Sequence, residues 1–199
     1  MKIATHSDDS KMIELILHVA TQCAEDSRFG AVKLNKILFY ADFLSYLKRG
    51  KSITSQVYFA IKEGPAPQQM LPITEKMQAE GIFAFQSIDV GLPHPKKKPI
   101  ALRPPNYKKL EAEDIAITNE VIEKFQSKNG TELSELSHKF AGYIAAFAQG
   151  PSTIIPYSMV QFDTKQFWGI EMPPLPEKLI DYGKELARKL ANTSPPAYA

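Results

Sequence analysis

Few side chains in this sequence are able to do chemistry, and their spacing fits no catalytic or metal-binding motif. The four histidines lie at positions 6, 18, 94 and 138, and Cys23 is the single cysteine. The chain contains no His-Glu-x-x-His sequence, no glycine-rich loop that could hold phosphate and no Gly-x-Ser-x-Gly turn. We therefore predict that the protein is not an enzyme and that it requires no metal and no other cofactor.

His138 stands between a short predicted helix and an apolar segment that runs from Phe140 to Phe147. Its imidazole could act as a base, as a metal ligand or as a donor that caps the helix. We favour a structural histidine held by hydrogen bonds. Cys23 falls within a helical pattern and is predicted to be a small buried apolar residue.

The most informative polar residues lie within the segment 33–47, KLNKILFYADFLSYL. At the helical period its apolar residues form one face, which aromatic residues widen almost around the whole helix. We therefore predict a helix at the centre of the fold, whose few polar groups need partners. Asn35 and Asp42 lie on one stripe of this helix, and Lys33, Lys36 and Tyr40 lie on another.

Two interpretations of Asn35 and Asp42 compete. In the first, which we favour, both residues form hydrogen bonds with neighbouring backbone or tyrosine hydroxyl groups and fix the packing of the central helix. In the second, the helix presents its tyrosine, phenylalanine and charged side chains to a protein partner, because aromatic residues dominate the binding energy of interfaces. The sequence leaves both interpretations open.

Helical periodicity and capping residues predict the other helices. The central helix is expected over residues 32–48, with Gly50 as its C-cap. The remaining predicted helices cover residues 9 or 10 to about 25, 67–80, 112–125, 131–138 with Thr131 as the cap, and 175–190. Pro72 either kinks the helix over residues 67–80 or marks its true start.

Three strands are predicted, over residues 56–62, 82–88 and 98–103. In the first, Val57, Phe59 and Ile61 form an apolar side that alternates with the less apolar side of Tyr58, as in a half-buried strand. The other two form a hairpin that resembles a wing, and Lys96-Lys97-Lys98 at its tip is expected to be solvated. Residues 63–67 are predicted to be a turn, and residues 150–157 are predicted to break regular structure.

These elements predict an α+β fold that is mainly α-helical, with a helical core around a central buried helix and a small antiparallel β-sheet or wing-like hairpin. A chain of 199 residues with 44% hydrophobic content is long enough for one sizeable core. We expect a single domain over residues 1–193 and a flexible tail over residues 194–199.

The charge balance argues against a partner that is strongly anionic. The 24 Lys and Arg nearly equal the 22 Asp and Glu, so the formal charge of +2 creates no global field that would attract nucleic acid or a membrane surface. The sequence shows neither the pattern of a signal peptide nor an apolar run long enough to span a membrane. We expect a cytoplasmic protein without a membrane partner.

A nucleic-acid-binding regulator of the winged-helix or helix-turn-helix kind is the alternative. The predicted helices at 112–138 and the hairpin at 82–103 give its outline. The short helix, however, carries Glu132 and Glu135 and no arginine, whereas a reading helix meets phosphates and bases with basic or amide side chains. Nucleic acid is therefore not our expected partner.

A set of residues with specific order and spacing extends from residue 33 to residue 157. It comprises Lys33-Leu34-Asn35-Lys36-Ile37-Leu38-Phe39-Tyr40-Ala41-Asp42, Gly50, Ile53-Thr54, Tyr58, Ala60, Gly64-Pro65, Pro67, Leu136-Ser137-His138, Ile155 and Tyr157. This pattern resembles the Panacea domain, the SocA-like antitoxin family found in bacteria and their phages and prophages. The resemblance covers roughly residues 12–160.

The resemblance implies a mainly helical domain with a small sheet, which neutralises the toxin encoded by an adjacent gene by binding it directly. In one branch of the family the domain instead delivers the toxin to a AAA+ protease. The sequence departs from the family at Pro72, which interrupts a helix, and at 140–143, where a tryptophan is expected within a few residues. The single tryptophan, Trp168, lies much later.

From the motif we predict which residues bind the partner and which maintain the structure. The predicted partner-binding residues are Lys36, Tyr40, Tyr58, Lys62, Gly64 and Pro65. Tyr58 is considered as an exposed anchor because it lies on the less apolar side of its strand. The predicted structural residues are Asn35, Asp42 and His138.

Overall fold

The computed structural model describes residues 9–89, 91 and 95–169. Their helices are α1 Asp9–Gln22, α2 Ala31–Arg49, α3 Met70–Ala79, α4 Ala112–Phe125, α5 Gly130–His138, α6 Ala141–Ala148 and α7 Thr164–Trp168. Their strands are β1 Tyr58–Ile61, β2 Gly64–Pro67, β3 Phe83–Ile88, β4 Lys96–Ala101 and β5 Thr153–Ile154. Short 3₁₀ helices occupy Tyr107–Lys109 and Tyr157–Phe162. The fold is α+β and mainly helical, as predicted.

Helix α2 lies at the centre of the fold, as its sequence predicts. It packs against α1, α4 and α5, and against strands β2 and β4. Its C-cap is Gly50, which has a positive φ of 73° and whose N–H donates to the carbonyl of Tyr46 at 2.8 Å. Even Lys33 and Lys36 are buried on this helix, so the charged groups of α2 must find partners inside the protein.

Strands β2, β1 and β5 form an antiparallel sheet in that order, in which Phe59 is opposite both Ala66 and Ile154. Tyr58 and Ala60 point into the core, with 1% and 0% of their surface exposed. Val57, Phe59 and Ile61 are only half-buried and lie outside the hydrophobic core. The predicted orientation of this strand was therefore wrong, and both of its faces are apolar.

The turn predicted at residues 63–67 is only partly correct, because Gly64–Pro67 forms strand β2 and pairs with β1. Helix α3 begins later than predicted, at Met70. Pro72 is the third residue of that helix, a position whose N–H has no partner within the helix, so the proline is tolerated in the first turn. The helix starts close to the proline, as the second of the two alternatives proposed.

Strands β3 and β4 form an antiparallel hairpin, as predicted, but β4 begins two residues earlier than expected. Lys96, Lys97 and Lys98 are therefore part of the strand and do not form the loop tip. The ammonium groups of Lys96 and Lys98 donate to the carbonyls of Ser27 and Ala24, each at 2.5 Å. These bonds attach the hairpin to the turn between α1 and α2.

The second half of the chain follows the prediction closely through α5. Helix α4 has the predicted bounds, and α5 is capped by a reciprocal pair of hydrogen bonds between Asn129 and Glu132, not by Thr131. Strand β5 lies within the segment predicted to be irregular. The helix predicted over residues 175–190 and the tail at 194–199 lie outside the described residues. The single domain over residues 1–193 stays a prediction.

No helix within the described ranges is both long enough and apolar enough to cross a membrane.

Candidate functional site

The carboxylate of Asp42 is fully buried at the interface between α2 and the sheet. It accepts hydrogen bonds from the backbone N–H groups of Ile53 and Thr54, both at 2.8 Å, from the Thr54 hydroxyl, and from the Tyr58 hydroxyl at 2.8 Å. Burial raises the pKa of Asp42, while these four donors act in the opposite direction. The contacts are those that a structural role for this residue requires.

The ammonium of Lys33 caps the C-terminal end of α4. It donates to the carbonyls of Phe125 at 2.8 Å and Lys128 at 2.7 Å, and it forms a 2.7 Å ion pair with Asp26. The last carbonyls of a helix have no partner within the helix and carry partial negative charge. Lys33 therefore joins α2 to the end of α4, and its own charge is compensated by Asp26.

The ammonium of Lys36 lies beneath the turn between β1 and β2. It donates to the Pro65 carbonyl at 3.0 Å. Burial is the main cause that lowers the pKa of Lys36 to about 7, and the nearby Glu63 opposes this shift. This lysine therefore gains or loses its charge near neutral pH.

Gly64 is required where it lies because two side chains approach it closely. Its φ is +94°, and a Cβ atom added there would lie 2.6 Å from the Lys36 ammonium and 2.6 Å from the Ser137 hydroxyl. Only glycine combines this backbone angle with such a close approach. The Gly-Pro motif thus allows the turn to pack directly on α2 and α5.

Two further hydrogen bonds attach the same turn to α5 and α6, and a ring contact joins these two helices. The Ser134 hydroxyl donates to the Glu63 carbonyl at 2.9 Å, and the Tyr143 hydroxyl donates to the Ile61 carbonyl at 3.0 Å. The ring of His138 stacks on Tyr143, with a centroid separation of 4.8 Å. Burial and the charge of Lys36 lower the pKa of His138, whereas a hydrogen bond with the Lys62 backbone raises it. His138 therefore packs against the turn.

Tyr40 belongs to a separate, aromatic part of the core. Its ring lies 4.7 Å from that of Phe125 and 4.9 Å from that of Phe167, and Trp168 packs beside them. Burial raises the pKa of Tyr40. Asn35 is half-buried, and its Oδ1 atom has no hydrogen-bond partner among the residues that the structure describes.

The structure therefore brings part of the predicted site together. Lys36, Lys62, Gly64, Pro65 and His138 converge on the β1–β2 turn. Of the six predicted partner-binding residues, only Lys62 is exposed, while Lys36, Tyr40, Tyr58, Gly64 and Pro65 are buried. An exposed anchor at Tyr58 is thus wrong, because its hydroxyl is directed inward to Asp42. In this structure the motif supports the turn from inside.

A cleft of about 870 Å³ lies beside this turn and was not predicted from the sequence. We call it the α2–α5 cleft, because the N-terminal ends of these helices form two of its walls and β4 forms a third. Its lining residues are Ser27, Arg28, Gly30, Ala31, Val32, Lys33, Glu63, Pro95, Lys96, Lys97, Asn129, Gly130, Thr131 and Ser134. The residues come from four separate segments, so no local sequence pattern could reveal the cleft.

The buried motif that supports the β1–β2 turn can be compared with known families. The model of the family described as antitoxin SocA-like, Panacea domain, matches residues 34–142. The chain belongs to the Panacea family. The match extends from the first turn of α2 into α6, so it includes the Asp42 contacts, the turn at Gly64 and His138. No curated protein and no solved structure matches this Panacea protein.

Other kinds of site have less support in this Panacea domain. Among the described residues there is no group of three or more side chains that could hold a metal ion. The elements of the winged-helix alternative, α4, α5 and the β3–β4 hairpin, are all present. However, Lys96 and Lys98 are bonded to backbone carbonyls, and Glu132 caps its own helix.

Proposed function

We propose that this protein is an antitoxin that neutralises a cognate toxin by binding it directly. The toxin would be the product of an adjacent gene, on a bacterial chromosome or in a phage or prophage, and both proteins would act in the cytoplasm. The observation that carries this proposal is the match of the antitoxin SocA-like Panacea family to more than half of the chain.

The structure is compatible with a role in which binding is the activity. The motif residues form buried contacts that fix the β1–β2 turn, and they leave Lys62 and Glu63 exposed at its tip. A turn that is held by three separate helices is a rigid element, and rigid elements lose little conformational entropy when a partner binds. The same turn forms one edge of the α2–α5 cleft.

Co-expression with the neighbouring reading frame tests the proposal. The neighbouring gene should arrest growth when expressed alone, and growth should be restored when this protein is present. The two proteins should then elute together in size-exclusion chromatography, with an interface of about 1,200–2,000 Å² as in other specific complexes. A control plasmid with an early stop codon in the antitoxin gene keeps the messenger RNA and removes the protein.

Two outcomes would contradict direct neutralisation. Restored growth without any complex, in cells where the toxin stays abundant, would exclude it. Disappearance of the toxin on co-expression, reversed by deletion of a AAA+ protease, would show that the protein is an adaptor for proteolysis.

A further inference from the structure

The α2–α5 cleft is large enough to hold a few side chains of a partner, and Val32 gives it an apolar surface. Its volume of about 870 Å³ lies within the range of sites that hold small ligands, roughly 300–1,000 Å³. Val32 contributes an apolar surface that is 40% exposed, although most of α2 is buried. Gly130 allows α5 to approach this side chain, since a Cβ atom there would lie 3.0 Å from the Val32 Cβ.

The rim of the cleft is positively charged. Arg28, Lys96 and Lys97 line it and form no ion pair with any residue that the structure describes, and the Lys96 ammonium donates to the Ser27 carbonyl. Glu63 is the single acidic residue of the lining. Lys33 adds little to this field because Asp26 neutralises it at 2.7 Å. Burial is the main cause that lowers the pKa of Lys96; the nearby Asp26 carboxylate opposes this shift, and the charges of Lys98 and Lys33 add to it.

The N-terminus of α2 adds to the positive field of the cleft. The N-cap residue of α2 is Gly30, which has no side chain to accept from the free backbone N–H groups, and the first turn contains no acidic residue. The N-terminus of α5 differs, because Asn129 and Glu132 cap it. A helix N-terminus without an internal anion favours a carboxylate supplied from outside.

We propose that the α2–α5 cleft binds an acidic segment of the toxin, with a carboxylate near Arg28 and Lys97 and an apolar side chain on Val32. This inference rests on the proposed antitoxin function and names the surface that performs it. Most of the motif residues are buried, so the binding surface must be formed by other, exposed groups such as those of the cleft.

A protein segment fits the cleft better than nucleic acid does. An extended phosphate backbone requires a long row of basic groups, but the adjacent face of α5 carries the exposed residues Glu132 and Glu135. The apolar surface at Val32 and Pro95 offers contacts to an aliphatic or aromatic side chain. A peptide segment can present an acidic and an apolar side chain next to each other, which matches the basic rim and the apolar surface of the cleft.

The test uses the full-length protein and the purified toxin, with affinity measured by isothermal titration calorimetry. The double variant Arg28→Glu/Lys97→Glu reverses two exposed charges of the cleft. We expect it to weaken toxin binding at least about tenfold and to abolish growth rescue, with an unchanged melting temperature. The matched control, Lys108→Glu, makes the same kind of charge reversal on an exposed lysine that does not line the cleft, and it should bind normally.

Hydrogen exchange of the wild-type complex provides a second measurement that needs no variant. Backbone amides of residues 27–33 and of Lys96 and Lys97 should become protected when the toxin binds. If wild type binds the toxin but the double variant binds equally well, or if these segments stay unprotected, the cleft is not the binding surface although the antitoxin function stands. If wild type binds no toxin, both proposals fail. If the double variant loses binding to promoter DNA but still binds the toxin, the cleft is a nucleic-acid-binding site.

Discussion

The contacts of Asp42 predict that its loss destabilises the protein severely. Asp42→Ala removes the acceptor of four buried donors, two of which are backbone N–H groups that cannot turn toward water. A buried donor left without a partner costs about 1–3 kcal/mol. Even the lower figure gives a total of about 4 kcal/mol, a large part of the about 5–15 kcal/mol by which domains are stable. We expect a strongly reduced yield of folded protein.

Tyr58→Phe provides the quantitative version of this test, because it removes one hydroxyl and keeps the buried ring. The lost bond has a carboxylate as its acceptor, so we expect a loss of about 1.5–3 kcal/mol in the free energy of unfolding. Tyr143→Phe is the matched control. Its hydroxyl donates to the neutral carbonyl of Ile61, so its loss should cost only about 0.5–1.5 kcal/mol.

Urea denaturation at pH 7, followed by circular dichroism, measures the free energy of unfolding of both tyrosine variants. Equal m-values for wild type, Tyr58→Phe and Tyr143→Phe would show that differences in midpoint report stability alone. If Tyr58→Phe costs less than Tyr143→Phe, or if Asp42→Ala unfolds within about 1 kcal/mol of wild type, the Asp42 contacts do not hold the sheet on α2 and our account of the motif is wrong.

Two further predictions concern the β1–β2 turn. Gly64→Ala should lower the free energy of unfolding clearly more than Gly50→Ala does. Both glycines have a positive φ, which costs alanine about 1–2 kcal/mol, but only at Gly64 would the new Cβ meet Lys36 and Ser137. Similar urea midpoints for the two variants would contradict this prediction. For Lys36, the unfolded chain keeps its proton up to the usual pKa of 10.5 whereas the folded protein releases it near 7, so stability should rise with pH in that window. Lys36→Met should flatten this rise in midpoints measured from pH 7 to 9.5, and Lys62→Met, which changes an exposed lysine, should retain it.

The elements that sequence reasoning predicted well are those with a strong local pattern. The period of apolar residues and the flanking glycine defined α2, and the capping residues defined α4 with its observed bounds. Strand β5 was missed because two residues carry no periodic signal and gain their order only by pairing with β1. The orientation of β1 was predicted wrongly because its more apolar side carries Val57, Phe59 and Ile61, whereas the side of Tyr58 is the one that lies in the core, next to Asp42.

The candidate site was predicted less completely than the fold. The motif named the residues that meet at the β1–β2 turn, but it gave no indication that most of them are buried. Burial depends on α5 and α6, which are about 70–80 residues away in the sequence and contact the turn through single hydrogen bonds. The α2–α5 cleft depends on the packing of four segments, which no single stretch of sequence encodes.

The two apolar faces of β1 have a consequence for how the native state is selected. A shift of one residue in strand pairing would turn Val57, Phe59 and Ile61 inward and Tyr58 outward. Hydrophobic burial does not favour the native register, since Val57, Phe59 and Ile61 are at least as apolar as the buried Tyr58 and Ala60. The misregistered chain would, however, leave Asp42 in an apolar interior without the Tyr58 hydroxyl. The buried carboxylate therefore disfavours this incorrect register, in which it would lose one of its four donors.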